Sequence, residues 1–230
     1  MMKKMMKTTC ALVVLAASCN VMAESVDMRV TGAVTPIACK PVLANNGIVD
    51  YGNINTNILS NDNYTFLPSK DISLTISCTA PAKIALLATN ARLGSTLSDI
   101  QEGPSGTAWP IIRGSIPLMS GVAGLGMDGD KKIGAYTLIS VDTKADGESV
   151  KRLRSSDKTS WTGGFSDSFF DQNGNFRYMS WYKDDLIEPV AFKNLTSTIR
   201  VMTYINKASE LDLTKPVKLD GQTNFEMFYL

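Results

Sequence analysis

The sequence predicts an all-β protein, a single domain of short strands with large loops in its middle. Three observations carry this. Apolar and polar residues alternate with a period of two in several runs, such as residues 71–78 (DISLTISC) and 223–230 (TNFEMFYL), the pattern of strands with one buried face. No segment of convincing length shows a helical period. Between the runs Gly, Ser, Asp and Asn are dense, as in GPSG, KADGES and DQNGN, which punctuates strands with turns. Of the 230 residues 44% are hydrophobic and 20% charged, a globular rather than a disordered balance. The length suits one large or two small domains, and no linker divides it.

Composition also excludes functions. The 23 basic and 22 acidic residues leave a net charge of +1, with no basic concentration of the kind nucleic acid requires. There is no histidine, which removes Ser-His-Asp and Cys-His machinery, imidazole base catalysis and the usual catalytic zinc sites. An enzyme is therefore not expected, nor any cofactor or metal.

Residues 1–23 read as a signal peptide. Lys3, Lys4 and Lys7 form a basic start, residues 11–17 (ALVVLAA) an apolar run, and Val21-Met22-Ala23 a cleavage site. The run is too short to span a bilayer, which takes about 20 residues. A lipoprotein reading at Cys19 is the alternative, with Ala16 where such signals usually carry leucine. Cleavage after Ala23 removes Cys10 and Cys19 and leaves Cys39 and Cys78. Two cysteines in an oxidising compartment read as one disulfide, and closing a loop of about 40 residues is worth roughly 4 kcal/mol.

Residues 24–36 form a short alternating extension. Val26, Met28, Val30, Gly32 and Val34 fall on one side, Asp27, Arg29 and Thr31 on the other, and Pro36 ends the run. It is either the first strand of an ordinary sandwich or a detachable strand meant for another molecule. Residues 37–230 then form the domain. Further β-rich runs lie at 47–54 (GIVDYGNI), 71–78 and 82–88 (AKIALLA). Candidate strands through the loop-rich middle are 108–114 (AWPIIRG), 133–141 (IGAYTLISV) and 176–182 (FRYMSWY), and towards the end come 189–192, 197–205 and 215–219. In the run at 71–78, Ile72, Leu74, Ile76 and Cys78 share a face, pointing Cys78 inward toward Cys39. Two acidic loops, 127–130 (MDGD) and 171–175 (DQNGN), have calcium-like composition without the ligand spacing or distal glutamate, and read as tight turns. In the last strand Phe225, Met227 and Tyr229 share one face.

The signal peptide, the alternating extension, the cysteine just after it, the second cysteine about 40 residues on and the C-terminal strand with penultimate Tyr229 together resemble subunits of chaperone–usher fimbriae. The segments GIVDYGNI, ISCTAP, PVAF and DGQTNFEMFYL resemble more narrowly the GltF-type fimbrial proteins, weakly through the middle of the chain. One departure is Val217, standing where pilins commonly carry a glycine; the nearest is Gly221. The resemblance implies an immunoglobulin-like, pilin-type β-sandwich with an incomplete strand set, completed by strand addition. It implies a periplasmic chaperone contacting the strand of Phe225, Met227 and Tyr229, an outer-membrane usher, and neighbouring fimbrial subunits as partners. Val26, Met28, Val30 and Val34 would be the knobs of a donated strand, each worth about 1.5–3 kcal/mol when buried, and Gly32 would let the backbone pass a crowded point. The expected role is a structural subunit for cell adhesion, exported through the periplasm to the cell surface.

Two alternatives stand beside it. In a tip adhesin, Trp109, Trp161, Trp181 and Tyr182 would stack on a sugar, although a terminal adhesin needs no donor extension. In a secreted hydrolase, carboxylates among Asp128, Asp130, Asp167, Asp171, Asp184 and Asp185 would act as a pair, although no spacing singles one out.

Overall fold

A computed structural model describes residues 27–34, 36–164, 166–184 and 186–230. The signal peptide and Val26 lie outside these residues. Residues 27–34 belong to an N-terminal unit and hold no regular secondary structure. The side chains of Met28, Val30 and Val34 are exposed, and nothing stands within 4 Å of the position a Cβ would take at Gly32.

From Pro36 onward the protein is built from strands and three short 3-10 turns, with no α-helix among the described residues. In chain order the strands are β1 (Cys39–Leu43), β2 (Thr65–Phe66), β3 (Lys70–Ala82), β4 (Ile84–Asn90), β5 (Ala123–Gly124), β6 (Met127–Asp128) and β7 (Lys131–Lys132). They continue as β8 (Gly134–Ala145), β9 (Glu148–Ser149), β10 (Lys151–Ser155), β11 (Thr162–Gly163), β12 (Tyr178–Tyr182), β13 (Phe192–Ile205) and β14 (Thr223–Tyr229). One sheet has the order β1-β3-β13-β8-β5, with β2 added to β13 and β9 to β8. The other runs β11-β10-β12-β4-β14, and β6-β7 is a separate hairpin. Every pairing is antiparallel.

The alternation in β3 does what its pattern predicts. Ile72, Leu74, Ile76 and Cys78 are buried, and they meet Leu195, Ile199 and Val201 of β13 on one inner face. Ile84, Leu86 and Ala88 of β4 and Met179 and Trp181 of β12 supply the facing layer of the same apolar cluster. Each such aliphatic side chain stabilises the sandwich by about 1.5–3 kcal/mol. Cys39 and Cys78 stand opposite each other across β1 and β3 and are joined as a disulfide, as their inward orientation predicts.

Three runs read as strands do not join the sheets. Residues 108–114 make only a single bridge, between Ala108 and Val122. Their apolar residues Ile111 and Ile112 instead pack on a second cluster with Leu97, Ile116, Val122, Ala135 and Tyr204. The Tyr204 hydroxyl donates to the Leu97 carbonyl at 2.8 Å, and burial raises its pKa above the usual tyrosine value. Residues 47–54 and 215–219 also lie outside any strand. Their alternate apolar residues are half-buried on the main core, so the pattern is satisfied by packing without a ladder. The two acidic loops are turns, as predicted. The first closes β6 onto β7, with Gly129 at a φ of +62°, and in the second the Asp171 carboxylate accepts from the Asn173 amide at 2.9 Å.

Candidate functional site: a cleft between two uncovered edges

A sandwich must manage the outer edges of both sheets, because unpaired backbone groups template further strand addition. Here two edges are covered. The far side of β8 meets β5, β9 and an irregular segment, with the Ser140 amide donating to the Asp167 carbonyl at 2.8 Å and the Phe169 amide to the Leu138 carbonyl at 2.9 Å. β10 is covered by β11. At the opposite end, β1 pairs with β3 alone and β14 with β4 alone among the described residues.

Burial marks this side as unfinished. Phe225 stands opposite Ala88 and Met227 opposite Leu86. The β4 residues are buried, whereas Phe225 and Met227 are only half-buried. On β1, Leu43 is half-buried opposite buried Leu74, and Pro41 is exposed opposite fully buried Ile76. Inward-facing residues that stay wet on two facing edges mean that one more layer of side chains would fit between them.

The space is a half-open cleft of about 250 Å³. Its floor is Ile72, Leu138, Ile199 and Val201; one bank is Leu43, Val49 and Tyr51, the other Leu219, Thr223 and Phe225. A second cleft is lined by Val49, Ile54, Leu59, Leu211, Val217 and Leu219, so both are bordered by Val49, Tyr51 and Leu219. Two hydroxyl pairs cross the floor. Tyr51 donates to the Thr203 hydroxyl at 3.1 Å, and Tyr136 shares a hydrogen bond with Thr223 at 2.7 Å. Thr203 and Tyr136 are themselves cross-strand partners on β13 and β8. Burial pushes the Tyr136 hydroxyl up to about 12, against the opposing effect of its bond to Thr223. Burial likewise raises Tyr51, opposed by its bond to Thr203. Gly221 lets the chain pass the Tyr136 ring, since a Cβ there would meet Cε1 at 2.8 Å.

The residues singled out on the C-terminal strand fall on this site with different roles. Phe225 and Met227 face the core beside the cleft, Phe225 packing edge-on against Phe169 at 5.4 Å. Tyr229 is half exposed, and its hydroxyl accepts from the Cys39 amide at 2.7 Å, tying β14 to β1 at one end. Removing that contact with Tyr229→Phe is expected to lower stability by about 1 kcal/mol, the net worth of one hydrogen bond; urea unfolding of variant and parent measures it, and equal midpoints would refute the tie. Sequence reasoning missed Tyr51, Tyr136 and Thr203. The alternation of 47–54 and of β8 was their only signal.

The aromatic and acidic candidates are dispersed over the molecule. Trp181 is fully buried, edge-on to Phe192 at 5.8 Å. Trp109 lies beneath Arg113 and Tyr182 beneath Lys151. None of Trp109, Trp161, Trp181 and Tyr182 lines the clefts just described. Asp128 pairs with Lys215, Asp167 with Arg152 and Asp171 with Arg177; Asp130 and Asp184 are exposed, and Asp185 lies outside the described residues.

Fold and cleft together define a class: a two-sheet β-sandwich, disulfide-linked at an edge strand and left open along one side. Known proteins bring the comparison closer. A family model described as "Protein of unknown function (DUF1120)" matches residues 28–137. The chain is 34% identical over 118 residues to the uncharacterized protein YhcF of Escherichia coli (strain K12), a match spanning 50% of this chain and 49% of that protein, about half its length. It is 26% identical over 248 residues to protein GltF of the same organism, across 96% of this chain and 95% of that one.

Proposed function

We propose that this protein is a structural subunit of a chaperone–usher fimbria, passing through the periplasm to the cell surface and polymerising by donor-strand exchange. The observation that carries the reading is the pair of half-buried, inward-facing rows on β1 and β14 flanking one open cleft. A strand inserted there gains ladder bonds to unpaired edge groups and buries its alternate side chains over an apolar floor. In this role a periplasmic chaperone lends the strand first, the outer-membrane usher exchanges it, and the extension of a neighbouring subunit replaces it. Val26, Met28, Val30 and Val34 have the spacing of knobs for such a floor. The protein is not an enzyme in this reading; its chemistry is association.

The test is the thermal stability of mature protein lacking residues 24–35, alone and with a synthetic peptide of those residues. The truncated protein is expected to be unstable or to aggregate, and the peptide to raise its melting temperature sharply. A peptide carrying Gly32→Arg should fail to do so. A truncated protein that is already stable and indifferent to the peptide would sink the polymer reading.

A further inference from the structure

The cleft carries a device of its own on the bank formed by residues 48–54. This segment belongs to no ladder. Among the described residues, its backbone amides make two hydrogen bonds, both local: Ile48 to the Asn45 carbonyl at 3.0 Å and Gly52 to the Asp50 carboxylate at 2.7 Å. Side chains hold it instead. Val49, Tyr51 and Ile54 are half-buried against the core, the Tyr51 hydroxyl is seated on Thr203, and Lys70 lies over the Tyr51 ring at 5.3 Å.

Sharp backbone breaks set the segment off, one at its entry and one within it. It is entered through three consecutive residues at positive φ, Asn45 (+49°), Asn46 (+53°) and Gly47 (+78°). This left-handed region is sparsely populated outside glycine and asparagine, so a run of three makes a sharp, specified bend. Gly52, at +62°, breaks the segment again, with open space around the position of a Cβ. Tyr51 sits between these two breaks, and its hydroxyl reaches the floor of the cleft.

We infer that residues 48–54 form a strap latched by the Tyr51–Thr203 hydrogen bond, and that this latch gates entry of a strand into the cleft. The inference rests on the strand-exchange reading and adds its rate control. With the latch closed, the aromatic ring occupies part of the space an incoming side chain needs, and the strap's free amides sit beside it. Opening the latch exchanges one hydroxyl pair for room in the cleft and frees unpaired backbone amides to bond with the arriving strand. The Tyr136–Thr223 pair on the opposite bank has no such breaks and serves as the fixed side.

The experiment uses the whole mature chain, residues 24–230, and a fluorescently labelled peptide of residues 24–35, with association and dissociation rates measured separately. Tyr51→Phe removes only the hydroxyl. Thr203→Val keeps the tyrosine and the side-chain volume, so it decides the matter if the first variant folds poorly. Each is expected to speed association roughly two- to tenfold, the rate equivalent of one net hydrogen bond, with dissociation unchanged, because the latch exists only in the empty state. Unchanged association, or a change confined to dissociation, would mean that the hydroxyl pair is an ordinary structural contact and would overturn the gate while leaving strand exchange standing. A wild-type chain that takes up no peptide under any condition overturns both.

Discussion

Replacing Arg177 with alanine is expected to destabilise the sandwich by about 3 kcal/mol, the lower end of the range for breaking a buried ion pair. Arg177 is only 4% exposed. Its guanidinium donates to the Asp171 carboxylate at 2.7 Å, the Met119 carbonyl at 3.0 Å and the Ser168 carbonyl at 3.2 Å. Those acceptors belong to two loop stretches, around Met119 and Ser168–Asp171, which otherwise meet through a single isolated bridge between Ser120 and Asp171, so one side chain fastens segments that share no strand ladder. Burial pulls the guanidinium's pKa below its usual value, and the neighbouring Asp171 opposes that pull. Alanine would leave two carbonyls without the donor Arg177 supplies, and the Asp171 carboxylate without its cation and with only the Asn173 amide, in a site nearly closed to water, which costs more than the net worth of the bonds made. Asp171 keeps some solvent contact, with a side chain 21% exposed, and this places the loss at the low end. For a chain of this size the midpoint of thermal unfolding should fall by about 6–12 °C. Lysine should restore less than half, since an ammonium cannot reproduce the planar fork. A fall under about 2 °C would show that water replaces the guanidinium.

The strands that could be read in advance are those whose alternate residues pack against the core, and β14 is among them although it pairs with β4 alone among the described residues. In β3 and β13 the period-two pattern, the buried face and the ladder coincide, whereas the first seven residues of β8 are buried on both faces. Where the pattern and the ladder part company, sequence reasoning goes astray in an informative way. Residues 47–54 and 215–219 carry a strand's alternation and half a strand's burial but no backbone partner, and they lie along the cleft. A sequence announces side-chain burial, not whether a neighbour is present to pair with the backbone. The middle of the chain was illegible for a different reason. Its order depends on single polar hubs such as Arg177, or Asn90 donating to the Gly106 carbonyl at 2.8 Å, and these join residues by contact rather than by period. The cleft itself could be anticipated only through resemblance. Its latch, Tyr51 on Thr203, spans 152 residues and leaves no local trace.

Removing the disulfide is the second change with a large expected effect, and it bears on the cleft as well as on stability. Cys39 and Cys78 are 39 residues apart in sequence, and the bond stabilises the folded state by roughly 4 kcal/mol, chiefly by restricting the unfolded chain. The local consequence follows from where β1 lies. Among the described residues it has a single ladder, to β3, and its half-buried Leu43 is part of one bank of the cleft. The Cys39 amide also donates to the Tyr229 hydroxyl, so the disulfide fixes the point at which the two uncovered edges meet. With both cysteines changed to serine, β1 is held by ladder bonds at an edge, the setting in which strands fray most readily. The double variant should therefore lose roughly 4 kcal/mol in urea unfolding, and amides of β1 should exchange with solvent much faster than those of β3. It should also bind the peptide of residues 24–35 more weakly than the parent does, the opposite direction from Tyr51→Phe, because the whole bank loosens rather than one latch opening. Unfolding midpoints that agree within the equivalent of 1 kcal/mol between the oxidised parent and the double variant would contradict the stabilising role. Equal exchange in β1 and β3 would show that ladder bonds alone hold the bank.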